Sequence, residues 1–295
     1  MKKNNLFQRY KAFDIGLVFF FILLSILAIY PFYNVLIVSV ANTLSTAKHT
    51  PYLLPYVFDL TGYQTLMSDI KFFRAILVTL FTTLAGTTIN MLLSVTAAYV
   101  LSRRNLIGRN MFLSLIVFTM LFSGGLIPTY LVVKDMGLIN NIWVLVLPTA
   151  ISTYYLIIMK NYFLTLPESL IEAARIDGAN EAYILVRIIL PISKPFMATF
   201  ALFYAVERWN EWYHAMLYIS KSNLRPLQIY LREVLINMSN ELSSMAQQML
   251  STTQKAYMPS IQMAAIVVTT VPILCVYPFV QRHFVKGIMV GGVKE

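Results

Sequence analysis

Residues 166–195 read LPESLIEAARIDGANEAYILVRIILPISKP, and this stretch decides how the rest of the chain is read. Pro167 can open a helix, because the N–H it lacks would have no partner in a first turn. Glu168 follows where the positive end of the helix dipole favours an acid. Ala173 and Ala174 are strong helix formers and leave a small-residue face. Asp177-Gly178 is a turn signal, with Gly178 free to take the left-handed conformation that ends a helix. Asn180 can cap a second helix, with Glu181 in its first turn. Ile184, Leu185, Ile188 and Ile189 supply apolar residues, and Pro191 and Pro195 mark the exit. The spacing predicts two short helices joined by a tight turn.

On both sides of this segment the chain turns apolar. Ile142 to Leu164 precedes it and Phe196 to Ile219 follows. Further out lie Ile15 to Val40, Phe72 to Leu101, Met111 to Val133 and Ile261 to Val280. A helix crossing about 30 Å of hydrocarbon needs about 20 apolar residues. All six runs qualify, the fifth being the least apolar. The chain is 58% hydrophobic and 12% charged, with a mean hydropathy of +0.67. Soluble domains carry about 25% charge, so an ordinary soluble domain is excluded. The expected fold is an all-α integral membrane protein with six transmembrane helices, forming a single domain over 1–295. The first run invites a signal-peptide reading, since Ser39-Val40-Ala41 is a passable cleavage site. It exceeds the roughly 7 to 15 residues of a signal h-region, so a retained helix is expected.

Lys and Arg give the orientation. Lys2, Lys3, Arg9 and Lys11 precede the first run, and Arg103, Arg104 and Arg109 follow the second. The connection between the fourth and fifth runs carries Lys160, Arg175, Arg187 and Lys194, and Arg282, Lys286 and Lys294 lie in the C-terminal segment. With six spans, all four groups fall on one side, which the positive-inside rule makes the cytoplasm. Both termini are therefore expected to be cytoplasmic. This distribution accounts for the net charge of +10 without nucleic acid. Of the opposite segments, 41–71 carries the turn-forming Pro51, Pro55 and Gly62. In 221–260, Pro226 can start an amphipathic helix through Leu227, Tyr230, Leu231, Val234 and Leu235, expected to lie over the outer mouth. Cys275 is the only cysteine, and His49, His214 and His283 have no metal-ligand spacing. No metal site and no catalytic residue are expected.

The loop also carries a family resemblance. Glu172-Ala173-Ala174, Gly178, Ile188, Leu190 and Pro191 match the EAA motif (Glu-Ala-Ala, three residues, Gly, nine residues, Ile, one residue, Leu-Pro). The chain resembles the permease subunits of binding-protein-dependent ABC importers. The stretch from Met120 to Pro148 and the tail FVKGIMVGGVKE are similar to the maltose-type carbohydrate family and its branch for complex oligosaccharides. The resemblance implies a type I importer permease fold in the cytoplasmic membrane of a bacterium. It implies that the motif, with Asp177, forms coupling helices that dock in a groove of an ATP-binding subunit. It also implies a second related permease, two ATP-binding cassette subunits, an extracellular solute-binding protein and a carbohydrate substrate. The sequence contains no GxxxxGK[ST] phosphate loop. ATP and magnesium are therefore expected on partner subunits, with no cofactor on this chain, which is a transport subunit rather than an enzyme.

A second cluster sits in the fifth run, YAVERWNEWYHAMLY from Tyr204 to Tyr218. At 1.5 Å per residue from Pro195, Glu207 falls about 18 Å in, near mid-bilayer. Charge at that depth must be paired or face a wet cavity. Arg208 is expected to pair with Glu211 or Glu207. Trp209, Trp212 and Tyr213 offer flat faces for sugar rings, and Glu207, Asn210 and Glu211 offer groups for hydroxyls. With Tyr204 these are the expected substrate-path residues. An aromatic belt for Trp212, Tyr213 and Tyr218 and a structural ion pair for Glu207 and Arg208 are the plainer readings. Gly86 and Gly124-Gly125 are expected to serve helix packing or a kink. An ion-coupled secondary transporter would require inverted repeats, and none is visible. A membrane enzyme would require Glu207, Glu211 or His214 against a nucleophile or metal, which nothing places. A non-sugar solute is the remaining alternative within the importer reading.

Overall fold

The computed structural model describes residues 12–42, 57–245 and 259–276, with side chains for 14–42, 57–236 and 259–276. The basic residues of both termini, Pro51, Pro55, His49, His283 and the C-terminal tail lie outside the described residues, as does the end of the sixth run. Twelve helices are described: α1 (Ala12–Ser39), α2 (Thr61–Ser68), α3 (Ile70–Ser102), α4 (Arg109–Leu121), α5 (Leu126–Asp135), α6 (Thr153–Leu164), α7 (Glu168–Ile176), α8 (Glu181–Ile192), α9 (Lys194–Trp209), α10 (Tyr213–Tyr218), α11 (Leu227–Met245) and α12 (Pro259–Val276). Among the described residues the only extended pairing is an isolated bridge between Ala41 and Phe58. The chain separates into two compact units at Asp69/Ile70, Arg232/Glu233 and Thr270/Val271.

The first unit holds α1, α2, most of α11 and most of α12. From Ile15 to Phe32 the side chains of α1 are exposed and almost all apolar, as expected of a helix whose solvent is hydrocarbon; the Ser25 hydroxyl is bonded back to the Phe21 carbonyl. Its end is tied down. Ser39 Oγ lies 2.8 Å from Tyr63 Oη, and Ser260 Oγ donates to the Ala41 carbonyl at 2.9 Å. Asp59 accepts from the hydroxyl and the N–H of Thr61 at the start of α2. Those two bonds hold the Asp59 carboxyl below its usual range.

The second unit is organised by α3. Its 33 residues reach about 50 Å, more than a bilayer core needs. One stripe of α3 is buried: Ala75, Thr79, Thr82, Gly86, Asn90, Ser94, Ala98 and Ser102. These recur every three or four residues, so they share one face, and most are small. Lipid tails are as apolar as leucine, so helices in a membrane gain little by hiding apolar surface. They associate through close packing of small residues and interhelical hydrogen bonds worth about 0.6 kcal/mol each. The stripe supplies both. Around the Ser102 end of α3, Tyr99 and Ala98 pack with Met159 and Phe163 of α6, Ile171 and Ala174 of α7, Ile184 and Ile189 of α8, and Phe200 and Tyr204 of α9. Toward the other end, Val78 packs with Val144, Leu145, Tyr218 and Ile229.

Three of the expected spans are not straight rods. The third is broken between α4 and α5, which meet at 114° across Phe122–Gly125. Gly125 there has φ +85°, a backbone that favours glycine. The fourth starts as 3₁₀ turns, Ile142–Leu145 and Leu147–Thr149, and resumes as α6 at 49°. Ser152 caps α6 by accepting from the N–H of Tyr155. The fifth, expected over 196–219, ends at Trp209 and restarts as the short α10. Three unbroken helices are long and apolar enough to cross a bilayer, and up to six crossings result if each bent pair is one. The amphipathic helix expected after Pro226 is present as α11, whose Leu227 and Ile229 are buried. The N–H of Leu227 donates to Thr79 Oγ1 at 2.8 Å.

Candidate functional site

Two neighbourhoods carry the residues singled out above: the loop at 166–195 and the break after α9. Both belong to the second unit.

The loop forms the two expected helices. Helix α7 closes with both hydrogen bonds of a Schellman turn: Ala179 N–H donates to the Ala174 carbonyl at 2.9 Å, and Gly178 N–H to the Arg175 carbonyl at 3.0 Å. Gly178 takes φ +84°, and a Cβ there would meet nothing within 4 Å. The glycine is required by the backbone conformation rather than by space. Asn180 caps α8 by accepting from the N–H of Tyr183 at 2.8 Å. Helix α8 widens to a π-turn over Ile184–Ile189, where Leu190 N–H donates to the Leu185 carbonyl. The widened turn stands immediately before Pro191, whose ring clashes with the carbonyl four residues back in a regular helix. At Ser193 the chain bends by 90° into α9.

The motif residues divide between two sides of this pair. Ile171 and Ala174 face inward, Ala174 being only 8% exposed. Ala174 is thus a correction to the expected contact face: it allows α7 to sit closely on its own core, not on a partner. Ile188 and Leu190 are half-buried against the same core. The outer face of α7 presents Ser169, Glu172, Ala173 and Ile176, followed by the exposed Asp177 and Gly178. Ile176 is 87% exposed. Across the turn, Arg175 holds Glu181 through Nη2 at 2.7 Å and Nε at 2.8 Å. Tyr99 Oη donates to the other Glu181 oxygen at 2.7 Å. Partial burial pushes the Glu181 carboxyl up, but the bonds from Tyr99 and Arg175 and the charges of Arg175 and Arg103 outweigh it. The carboxyl therefore sits below its usual range.

At the break after α9, an open cleft is lined by Thr149, Glu207, Arg208, Asn210, Glu211, Trp212, Tyr213 and His214. Trp212 and Tyr213 are 45% and 43% exposed, so their ring faces are available. Asn210 ends α9 by donating to the Val206 carbonyl at 2.9 Å and accepts from Gln228 of α11. The guanidinium of Arg232, one turn along α11, lies over the Trp212 ring.

The expected charge pairing within this cleft is not what forms. Arg208 is 4% exposed and has no carboxylate within ion-pair distance among the described residues. Its Nη1 donates to the Leu145 carbonyl at 2.6 Å and to Thr149 Oγ1 at 2.7 Å. Its Nη2 donates to Asn90 Oδ1 at 3.0 Å and to the carbonyls of Thr149 at 2.6 Å and Val146 at 3.4 Å. These carbonyls belong to the 3₁₀ segment, where regular helical bonding is lost, so the guanidinium replaces the missing donors. Glu207 instead accepts from Tyr155 Oη at 2.6 Å. Glu211 is bonded to the His214 N–H at 2.9 Å and ring Nδ1 at 3.0 Å. Gly86 makes room for the Arg208 side chain, since a Cβ there would stand 2.9 Å from Arg208 Cδ.

One further path residue is corrected. Tyr204 is 1% exposed, with its hydroxyl 2.7 Å from Ser94 Oγ and accepting from the Ser152 N–H. It belongs to the core between α3 and α9. Trp209 is half-buried and not on the cleft lining. Glu207, Asn210, Glu211, Trp212 and Tyr213 do come together. Thr149, Tyr155 and Asn90 are absent from the sequence reading, and His214, weighed there only as an acid–base group, lines the cleft. The small and polar residues of α3 at three- and four-residue spacing are the signal that could have pointed to Asn90.

The family described as "Binding-protein-dependent transport system inner membrane component" matches residues 7–290. The chain is 44% identical over 286 residues to Protein LplC of Bacillus subtilis (strain 168), covering 96% of this chain and 95% of that one. It is 43% identical over 284 residues to the polygalacturonan/rhamnogalacturonan transport system permease protein YtcP of the same organism, covering 96% and 99%. A chain of a bacterial ABC transporter involved in import of the acidic polysaccharide alginate superposes with a TM-score of 0.84 at 31% identity, covering 94% of this chain and 99% of that chain. With its all-helical fold and the EAA loop in place, the chain belongs to the binding-protein-dependent transport system inner membrane components and has the permease fold of an ABC importer.

Proposed function

We propose that this chain is one membrane subunit of an ATP-driven importer that carries an oligosaccharide into the cytoplasm, coupled to ATPase subunits through the loop at 166–195. The observation that carries the coupling assignment is the outer face of α7. It leaves Ile176 almost fully exposed beside Glu172 and Ala173 on a helix closed by a Schellman turn at its C-terminal end. An exposed isoleucine on a rigid, capped helix suits insertion into a groove of another protein. Energy input requires partners with a phosphate loop, so two ATP-binding cassette subunits are part of the reading. A second, related permease completes the path, and an extracellular solute-binding protein delivers the sugar. Both termini lie in the cytoplasm of a bacterial cell, as the positive-inside count indicates.

The cleft at the break of α9 supplies this chain's wall of the path. Trp212 and Tyr213 present ring faces, and Glu207 and Asn210 present groups for hydroxyls. The polygalacturonan/rhamnogalacturonan of YtcP and the acidic polysaccharide alginate of the superposed transporter make uronic-acid oligosaccharides the first class to try, beside neutral ones.

The test is ATP hydrolysis by the reconstituted complex, with and without sugar-loaded binding protein, in wild type and Gly178→Val. A β-branched residue is badly strained at φ +84°. An assembled variant complex that has lost sugar-stimulated hydrolysis is expected, and the stimulating sugar identifies the substrate. Full stimulation in the variant would remove the loop from the coupling path.

A further inference from the structure

Near its Ser102 end, α3 adds to its apolar packing on the loop a polar contact centred on one carboxylate, Glu181. Tyr99 stands in the last turn of α3, and Arg103 follows directly after its end. Tyr99 Oη donates to Glu181 Oε2 at 2.7 Å, and Arg103 lies over the Tyr99 ring at 4.0 Å, with its Nε 3.9 Å from the same oxygen. Arg175 of α7 grips Oε1 of the same carboxylate. Glu181 is the first residue of α8. One side chain therefore joins α7, α8 and α3.

We propose that Glu181 is a positioning latch that makes the end of α3 follow the loop when the loop moves; this rests on the coupling reading above. Helix α8 is continuous with α9 through the bend at Ser193, so α9 receives any displacement through the backbone. Helix α3 has no such covalent link to the loop. Its apolar contacts with Ile184 and Ala174 are non-directional and can slide. Charge-assisted bonds to a fixed carboxylate are directional and hold register. The consequence reaches the cleft, because α3 also carries Ser94, bonded to Tyr204, and Asn90, bonded to Arg208. A movement passed at Tyr99 thus arrives at the guanidinium that organises the path wall. Of these residues, Tyr99 and Glu181 act on the path only by holding other groups.

The experiment uses the full complex with Cys275 replaced by serine and spin labels at Leu170 on α7 and Ile107 beyond α3. Inter-label distances are measured without nucleotide and with ATP, magnesium and vanadate. In the latched protein the two labels keep one distance in both states. Glu181→Gln and Tyr99→Phe are each expected to shift or broaden it in the nucleotide state, with a several-fold fall in sugar-stimulated hydrolysis. The double variant is expected to be no worse than either single one, and Arg175→Lys, which keeps the charge, to retain most of the stimulation. Loss of stability alone would not move the distance in a complex that assembles. Should Tyr99→Phe fail to assemble, Glu181→Gln decides by itself, its side chain being half exposed. Wild-type distances in the variants would overturn the latch. Full stimulation in Gly178→Val would overturn the coupling reading on which it rests.

Discussion

Arg208 and Arg175 lie in one unit of the molecule and meet opposite environments. Arg208 is buried, has no carboxylate partner among the described residues, and makes five hydrogen bonds to neutral oxygens of Asn90, Leu145, Val146 and Thr149. Arg175 is 42% exposed at its side chain and holds a carboxylate that is 50% exposed. The buried guanidinium substitutes for donors that a broken helix has lost, so its loss strands several oxygens at once. The exposed pair exchanges one good partner for water when it breaks. Within a membrane protein, geometry can thus make an arginine without a counter-ion the more expensive one to remove.

The largest effect expected is from Arg208→Leu, which fits the space without supplying a donor. Each stranded buried oxygen costs about 1–3 kcal/mol, so the complex should lose at least about 3 kcal/mol and unfold at a clearly lower temperature. Thermal unfolding of detergent-purified complex measures it, and a wild-type transition would break the comparison. Gly86→Ala comes next. Its Cβ would stand 2.9 Å from Arg208 Cδ, and the guanidinium beyond is pinned by its five bonds. A loss of about 1–3 kcal/mol is expected by the same measurement.

Arg175→Ala should be far milder for stability, below about 1 kcal/mol, because half-exposed pairs are screened by water. A cost equal to that of Gly86→Ala would erase the distinction between the two regions. The smallest effect is pH dependence at Glu181. Its carboxyl is held below the unfolded value of 4.5, so its contribution is complete above that pH and is lost as pH falls through the lower folded value. Wild type and Glu181→Gln should therefore differ by a constant amount from pH 5 to 8 and converge in more acidic buffer. Divergence on acidification would reverse the sign of the assignment.

The loop was legible in the sequence almost residue by residue. Its determinants are short-range: the Schellman bonds span no more than five residues, the Asn180 cap three, and the glycine answers to its own φ. The apolar runs were legible for a related reason, since hydrocarbon sets the length of a helix whatever it packs against. The path cluster was legible only as composition. Glu207 to Tyr213 did converge on a cleft, while Tyr204 turned inward and Trp209 left the lining.

The sequence by itself determined where the apolar helices run and where the loop at 166–195 turns. The tertiary structure alone decided that Ala174 faces its own core and that Arg208 is held by backbone carbonyls about sixty residues away, and by Asn90 still further along the chain. It alone placed Glu207 on Tyr155 and joined Tyr99 to Glu181. The physical reason is range. A helix cap or turn is closed by its own neighbours, whereas a buried polar side chain takes whichever partner the packing of distant helices brings within 3 Å.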